Sequence, residues 1–336
     1  MQQIAAAAGL QYASTAEVGA LLHECRGRVL GVVAFGKRAP ARKDVICAWV
    51  DMPTIGADQA FEVWASAAPV QIETSGRIRS ARNAQILFGC VEIPEEPGVD
   101  YEALIYDEYS RIFDHLDELG YPNLVRIWHY LPDIHLDERA LERYKRFSLG
   151  RHEAFVDKGR AIVTDAPAAS AVGKRPGNTV ICFLAAPRPG IPIENPRQVS
   201  AYSYPAQYGP RGPTFSRALF ASWDGRRQLY ISGTAAIFGH LSQHAGDVAA
   251  QAGETILNLR SVMDEARAHG LIDVTSGTDL MFKVYLRQPE FRPIAEKQLR
   301  EAFGPASSVI YLQADICRRE LLLEIEVVCA TRSHSL

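Results

Sequence analysis

The chain has 336 residues, 47% of them hydrophobic and 22% charged, enough to bury the core of two domains or of one large one. A formal net charge of -3 supplies no general basic field for nucleic acid or an anionic membrane, so an anionic ligand must be held by local arginines. The cysteines are scattered with no C-x-x-C pair, no stretch reaches the ~18 apolar residues of a membrane span, and the start lacks a signal-peptide pattern, which together predict a cytoplasmic protein with reduced thiols.

Apolar runs at 29–35 and 45–50 predict strands that extend a first domain. Residues 86–89 read as the next strand. Gly98-Val99-Asp100 then opens a helix over 101–119, 125–130 reads as a strand and 138–149 as a second helix, with Gly150 in a C-cap position. Strands at 168–172 and 179–185 follow. Pro187-Arg188-Pro189-Gly190-Ile191-Pro192 marks a connector, taken as 187–200. The same order then returns: a strand at 229–233, Gly246-Asp247 opening a helix over 248–269, a strand at 280–286, a helix over 291–303, and paired strands at 308–313 and 321–328. Ile256, Leu259, Val262 and Met263 recur at the three-four spacing of one buried helix face. The pattern predicts an α+β chain that states one unit twice, as a domain over 1–186 with extra N-terminal strands and a second over 201–336.

Within that frame, residues 201–218 form a loop too rich in proline and glycine for a helix. Tyr202, Tyr204 and Tyr208 with Arg211 and Arg217 suit a small anion bearing more than one carboxylate, because guanidinium forks and phenol donors match it. A tyrosine-rich turn is the plainer alternative. Glu324 and Glu326, two apart on a strand, share one face. On a solvated face they are merely polar; lining a cleft, they raise each other's pKa and one becomes a general acid. Tyr144 and Arg151 lie seven apart, two turns along one face if the helix reaches that far; spacing alone favours a capped surface helix with a basic end. His240 and His244 have the spacing of a zinc helix but lack its glutamate and are flanked by glycines, which predicts a loop and no metal. Neither a nucleotide-binding glycine motif nor a serine-hydrolase elbow occurs.

Residues 209–330 resemble the reactive-intermediate deaminase (YjgF-like) family. The shared residues are Gly209-Pro210 through Arg217-Ala218, Tyr230-Ile231-Ser232-Gly233, Gly246-Asp247 with Gln251 and Asn258-Leu259, and Glu324-Ile325-Glu326. One departure counts against deamination: the family's carboxylate-binding arginine falls here on Ser307.

Over roughly residues 80–330 the chain is more similar to the chorismatases, two-domain relatives of that fold. This rests on residues 144–151, on Ser203-Tyr204-Pro205 through Arg217-Ala218, and on Cys317 through Glu326. The resemblance implies two tandem YjgF-like domains, each a mixed six-stranded sheet backed by two helices on one face. It implies chorismate as substrate, held by Tyr144 and Arg151 of the first domain and Tyr204 and Arg217 of the second, with Glu324 as catalytic acid. Tyr208 and Arg211 are expected at the same site from the loop. Ala235 stands for a small-residue position that the family implies near 234–236. Family members that make hydroxybenzoate carry cysteine seven residues before the acid, where diol-forming hydrolases carry alanine, and here that residue is Cys317. The products implied are pyruvate and a hydroxybenzoate, the 3-isomer ahead of the 4-isomer. The diol-forming hydrolase and a non-catalytic ligand binder stay open. No cofactor or metal is required, no nucleic acid or membrane partner is expected, and a monomer suffices, with a trimer open.

Overall fold

The computed structural model describes residues 8–38, 44–96, 98–138, 140–272, 274, 279–305 and 308–332. Ser307 therefore lies outside the described residues. Strands β1 (Gly9–Ala13), β2 (Val29–Gly36), β3 (Cys47–Val50) and β4 (Gln59–Ala65), with helix α1 (Thr15–Glu24), come first. They form a four-stranded sheet in the order β1-β4-β2-β3.

Next come β5 (Gln71–Ser75), β6 (Ile78–Arg82), β7 (Leu87–Ile93), α2 (Tyr101–Leu119) and β8 (Asn123–Pro132). A short hairpin, β9 (Asp137–Glu138) and β10 (Leu141–Glu142), leads into α3 (Arg143–Asp157), β11 (Ala168–Lys174) and β12 (Thr179–Ala186). The sheet order is β11-β8-β12-β7-β6-β5.

The last third holds β13 (Ile191–Ile193), β14 (Ala218–Trp223), β15 (Arg226–Thr234), the hairpin β16 (Ile237–Phe238) and β17 (Leu241–Ser242), α4 (Val248–Ala268), β18 (Asp279–Leu286), α5 (Arg292–Phe303), β19 (Ser308–Gln313) and β20 (Leu323–Arg332). Its six-stranded sheet, β13-β14-β15-β20-β18-β19, has the permutation of the first. In both units the last pair is parallel and is crossed by the second helix. Asp100 and Asp247 cap the matching helices α2 and α4, accepting from backbone N–H groups two or three residues on. Among the described residues no helix is long and apolar enough to cross a membrane.

Each pair of helices covers one face of its own sheet with an apolar layer, centred on Ile105, Phe113 and Phe155 in the first unit and on Leu259, Val262 and Phe282 in the second. The other faces, together with the N-terminal sheet, share a single central core. There the Trp64 ring lies 5.6 Å from Trp128 and 6.2 Å from Tyr230, and Phe35 lies 5.8 Å from Tyr130. Strands covered on both faces need apolar residues at nearly every position, which is why β2, β8 and β12 read as continuous runs.

Three differences from the sequence reading follow from long-range pairing. The N-terminal strands do not extend the first domain's sheet but form their own, because β2 takes β3 and β4 as neighbours. That sheet repeats the inner part of the others: β1-β4-β2-β3 has the antiparallel, antiparallel, parallel sequence of β15-β20-β18-β19. Its register sets Val33 opposite Glu62, as Lys283 stands opposite Glu326 and Trp128 opposite Cys182. Finally, β19 and β20 are not partners, since β18 lies between them.

Candidate active site

Strand β20 runs between β15 and β18 with Glu324 and Glu326 on its central face, opposite Tyr285 and Lys283. Both acids are buried, at 4% and 6% exposure, so the solvated-face alternative is excluded. Their surroundings differ sharply. Glu326 accepts hydrogen bonds from Arg126 (2.7 Å), Trp128 Nε1 (2.8 Å), Ser170 Oγ (2.6 Å) and the Tyr285 hydroxyl (3.2 Å), and pairs with Lys283 at 2.7 Å. Burial alone would raise its pKa, but Lys283 and then Arg126 outweigh burial and hold it at about 2. Among the described residues nothing donates a hydrogen bond to the Glu324 carboxyl. Burial first, and the Glu326 charge second, push Glu324 up to about 8, with Arg126 opposing. The expected mutual raising therefore applies to Glu324 alone; Glu326 is a locked anion. Near neutrality one acid is charged and its neighbour carries a proton.

Gly233 on β15 makes room for that acid. A Cβ there would lie 1.9 Å from Glu324 Oε1 and 3.1 Å from Ser170 Oγ.

Glu324 opens into a cavity of about 310 Å³ whose walls come from both six-stranded units. From the first unit, Tyr144 and Arg151 line it, both on α3. The helix begins and ends later than its sequence pattern suggests, because Asp137–Glu138 and Leu141–Glu142 are spent on the strands β9 and β10. Gly150 is thus not a C-cap but a mid-helix residue packed on α2, where a Cβ would meet the Glu102 carbonyl oxygen at 2.2 Å. Arg151 is buried, with its guanidinium 5.4 Å from the Tyr109 ring centre and 5.5 Å from that of Phe155. Its Nε and Nη2 donors have no hydrogen-bond partner among the described residues. His129 buttresses this arrangement. Its Nδ1 donates to the Ser170 carbonyl at 2.7 Å and its Nε2 accepts from Tyr109. Burial, then Arg151, push its pKa well down, so it stays neutral.

From the second unit come Tyr204, Tyr208, Arg217, Ala235 and Cys317. The Tyr-rich loop is irregular apart from two 3₁₀ turns. Arg217 Nη2 donates to Tyr204 Oη and the Val199 carbonyl, both at 2.8 Å, while its buried Nε is unpartnered among the described residues. Arg318, which the sequence reading passed over, sits 3.9 Å from the centre of the Tyr208 ring. Burial first and Glu324 second push the Cys317 thiol up to about 12, so it is neutral. All six cysteines are free thiols.

Arg211 does not join the site. It is exposed with Pro210 where the loop turns outward, and it lies beside His152 rather than in the cavity. Staying hydrated there avoids the desolvation that burying another cation would cost. His240 sits in the turn between β16 and β17 and His244 follows β17, so neither rides a helix, and His240 Nδ1 lies 3.3 Å from the Tyr208 hydroxyl.

Glu62, Arg126, His129, Ser170 and Lys283 also escaped the sequence reading. The signal present was a lysine in the apolar run of β18 and an arginine in that of β8, since buried strands seldom carry an unpaired charge.

Residues 62–185 match the family described as Chorismatase FkbO/Hyg5-like, N-terminal. The chain is 35% identical over 288 residues to a 3-hydroxybenzoate synthase of Streptomyces hygroscopicus, a match covering 83% of this chain and 84% of that protein. It is 36% identical over 282 residues to a chorismatase of Streptomyces rapamycinicus, covering 81% and 83%. A chorismatase crystal structure superposes with a TM-score of 0.85 at 31% identity, over 95% of this chain and 97% of that one. The chain belongs to the chorismatase family. Its fold is the tandem YjgF-like arrangement that the resemblance implied, with the truncated N-terminal sheet added.

Proposed function

We propose that this chain converts chorismate to pyruvate and a hydroxybenzoate, 3-hydroxybenzoate ahead of 4-hydroxybenzoate. The observation that carries the reading is a buried, unpartnered carboxyl, kept protonated beside a locked anion, in one cavity with guanidinium groups from both repeated units. Chorismate is a dianion. Arg151 and Arg217 each present buried donors to one carboxylate, backed by Tyr144 and Tyr204. Glu324 gives its proton to the methylene carbon of the enolpyruvyl ether, producing an oxocarbenium ion. Water adds to that ion and the adduct collapses to pyruvate, returning the proton to Glu324. The ring then either leaves as a diol, with one water consumed overall, or loses water and aromatises, with no net water. A proton and water balance both routes. Cys317, a neutral thiol against the ring's path, selects the aromatic one by its bulk.

In this reading the domains divide at residues 187–200, and a monomer suffices because one chain supplies both walls of the cavity. The free thiols fit a cytoplasmic enzyme. The test is incubation of pure protein with chorismate, followed by assay of pyruvate and chromatography of the ring product. Tight binding without pyruvate would instead favour a ligand-binding protein. Cys317→Ala is expected to move product toward the diol; an unaltered ratio removes the cysteine from product choice.

A further inference from the structure

The groups behind Glu324 form one closed cluster that reaches into the N-terminal sheet. Lys283 of β18 pairs at once with Glu326 of β20 and with Glu62 of β4, and its third proton points to the Tyr130 hydroxyl at 3.4 Å. Arg126 of β8 closes the far side of Glu326, directly and through Ser170. Glu62 accepts from Trp64 Nε1 at 2.8 Å, just as Glu326 accepts from Trp128. All four charged side chains are buried. Two acids and two bases leave no net charge.

The other titratable groups packed around them add none. Tyr12 of β1, Tyr130 of β8, Tyr285 of β18 and Cys182 of β12 are all pushed far up, by burial first, and stay neutral. An ionised Glu324 would be a fifth charge with no counter-ion in the cluster. Arg151 and Arg217 line the same cavity as the acid, and no change to Glu62 alters them.

We propose that Glu62 is a positioning residue for the reaction: by neutralising Lys283 it leaves no surplus cation behind the acid, and so holds Glu324 in its proton-donating form. This rests on Glu324 being the acid. The N-terminal sheet is then part of the catalytic apparatus. Removing the Glu62 charge leaves one cation in excess, which favours the Glu324 anion, so the acid is lost at lower pH.

The experiment is Glu62→Gln in the full chain, with kcat and kcat/KM for chorismate followed by pyruvate release across the alkaline limb. The limb is expected to move to lower pH by about half a unit or more, while KM below the limb changes by less than about twofold. A rate lowered equally at every pH, with the limb unmoved, overturns the proposal. Glu62→Asp keeps the charge and should leave the limb in place; a limb that moves as far with Asp as with Gln also overturns it. Infrared titration of the carboxyl band that Glu324→Gln removes needs no turnover, so it separates failure here from failure of the functional reading. That band should titrate at lower pH in Glu62→Gln, and an identical midpoint overturns the proposal. Should Glu62→Gln not fold, the unsubstituted chain still decides. Below the limb, one buried protonated carboxyl, assigned to Glu324, supports the four-charge cluster, and a second buried one overturns it.

Discussion

The two six-stranded units share a strand order but have divided the chemistry. In the second, β20 carries Glu324 and Glu326, and β18 faces them with Tyr285 and Lys283. At the matching register of the first, β12 carries Val180 and Cys182, and β8 faces them with Tyr130 and Trp128. The first unit has no acid at that place. What it supplies is α3, which sends Tyr144 and Arg151 into the cavity. In the reading proposed above, one repeated architecture yields one site, with the proton donor on the second copy and the anion grip shared between α3 of the first and the Tyr-rich loop of the second.

That arrangement predicts that damage around the acid on β20 falls on kcat and damage to α3 on substrate capture. The largest effect is expected for Glu324→Gln: kcat lower by about a thousandfold or more, with chorismate binding retained in calorimetry. Unchanged turnover would move the acid elsewhere. Gly233→Ala should cost roughly a hundredfold in kcat, since a methyl group occupies the space of Glu324 Oε1. Its melting temperature, measured alongside, separates a displaced acid from a damaged strand. Arg151→Met, in the first unit, should raise KM by about tenfold and disturb kcat less. A loss confined to kcat would erase the proposed division of labour.

The mildest test is pH. If Glu324 is the proton donor, its working form is protonated, so activity should be present below about 8 and fall as pH rises through that value. Stability follows the same sign. A carboxyl raised from 4.5 to about 8 on folding contributes stability fully present below the lower value and lost as pH climbs to the upper one. Glu326, depressed to about 2, behaves oppositely, losing its contribution as pH falls from 4.5 through 2. Denaturant midpoints of Glu324→Gln should therefore gain on the unsubstituted chain between pH 5 and 8, by up to about 1.4 kcal/mol per unit.

Much of this was legible in the sequence, where the information is local. Asp100 and Asp247 announce α2 and α4, and the alternation of β20 puts Glu324 and Glu326 on one face. The seven-residue spacing of Tyr144 and Arg151 proved to be two turns of one helix. What stayed hidden depends on distant partners. Glu62, Lys283 and Glu326 stand far apart in sequence, and nothing local says that a buried lysine in β18 meets acids from two sheets. The separate N-terminal sheet was unreadable for the same reason, since strand propensity does not name the neighbouring strand. Gly150 resembled a helix terminator because local pattern cannot register the approach of α2.

That glycine sets a dimension of the molecule. Its missing side chain lets two helix backbones touch where a methyl group would strike a carbonyl oxygen that cannot swing aside. Any larger residue levers α3 outward, and Arg151, the very next residue, travels with it. Where the Arg151 guanidinium stands relative to the acid is therefore gauged by an absent carbon atom.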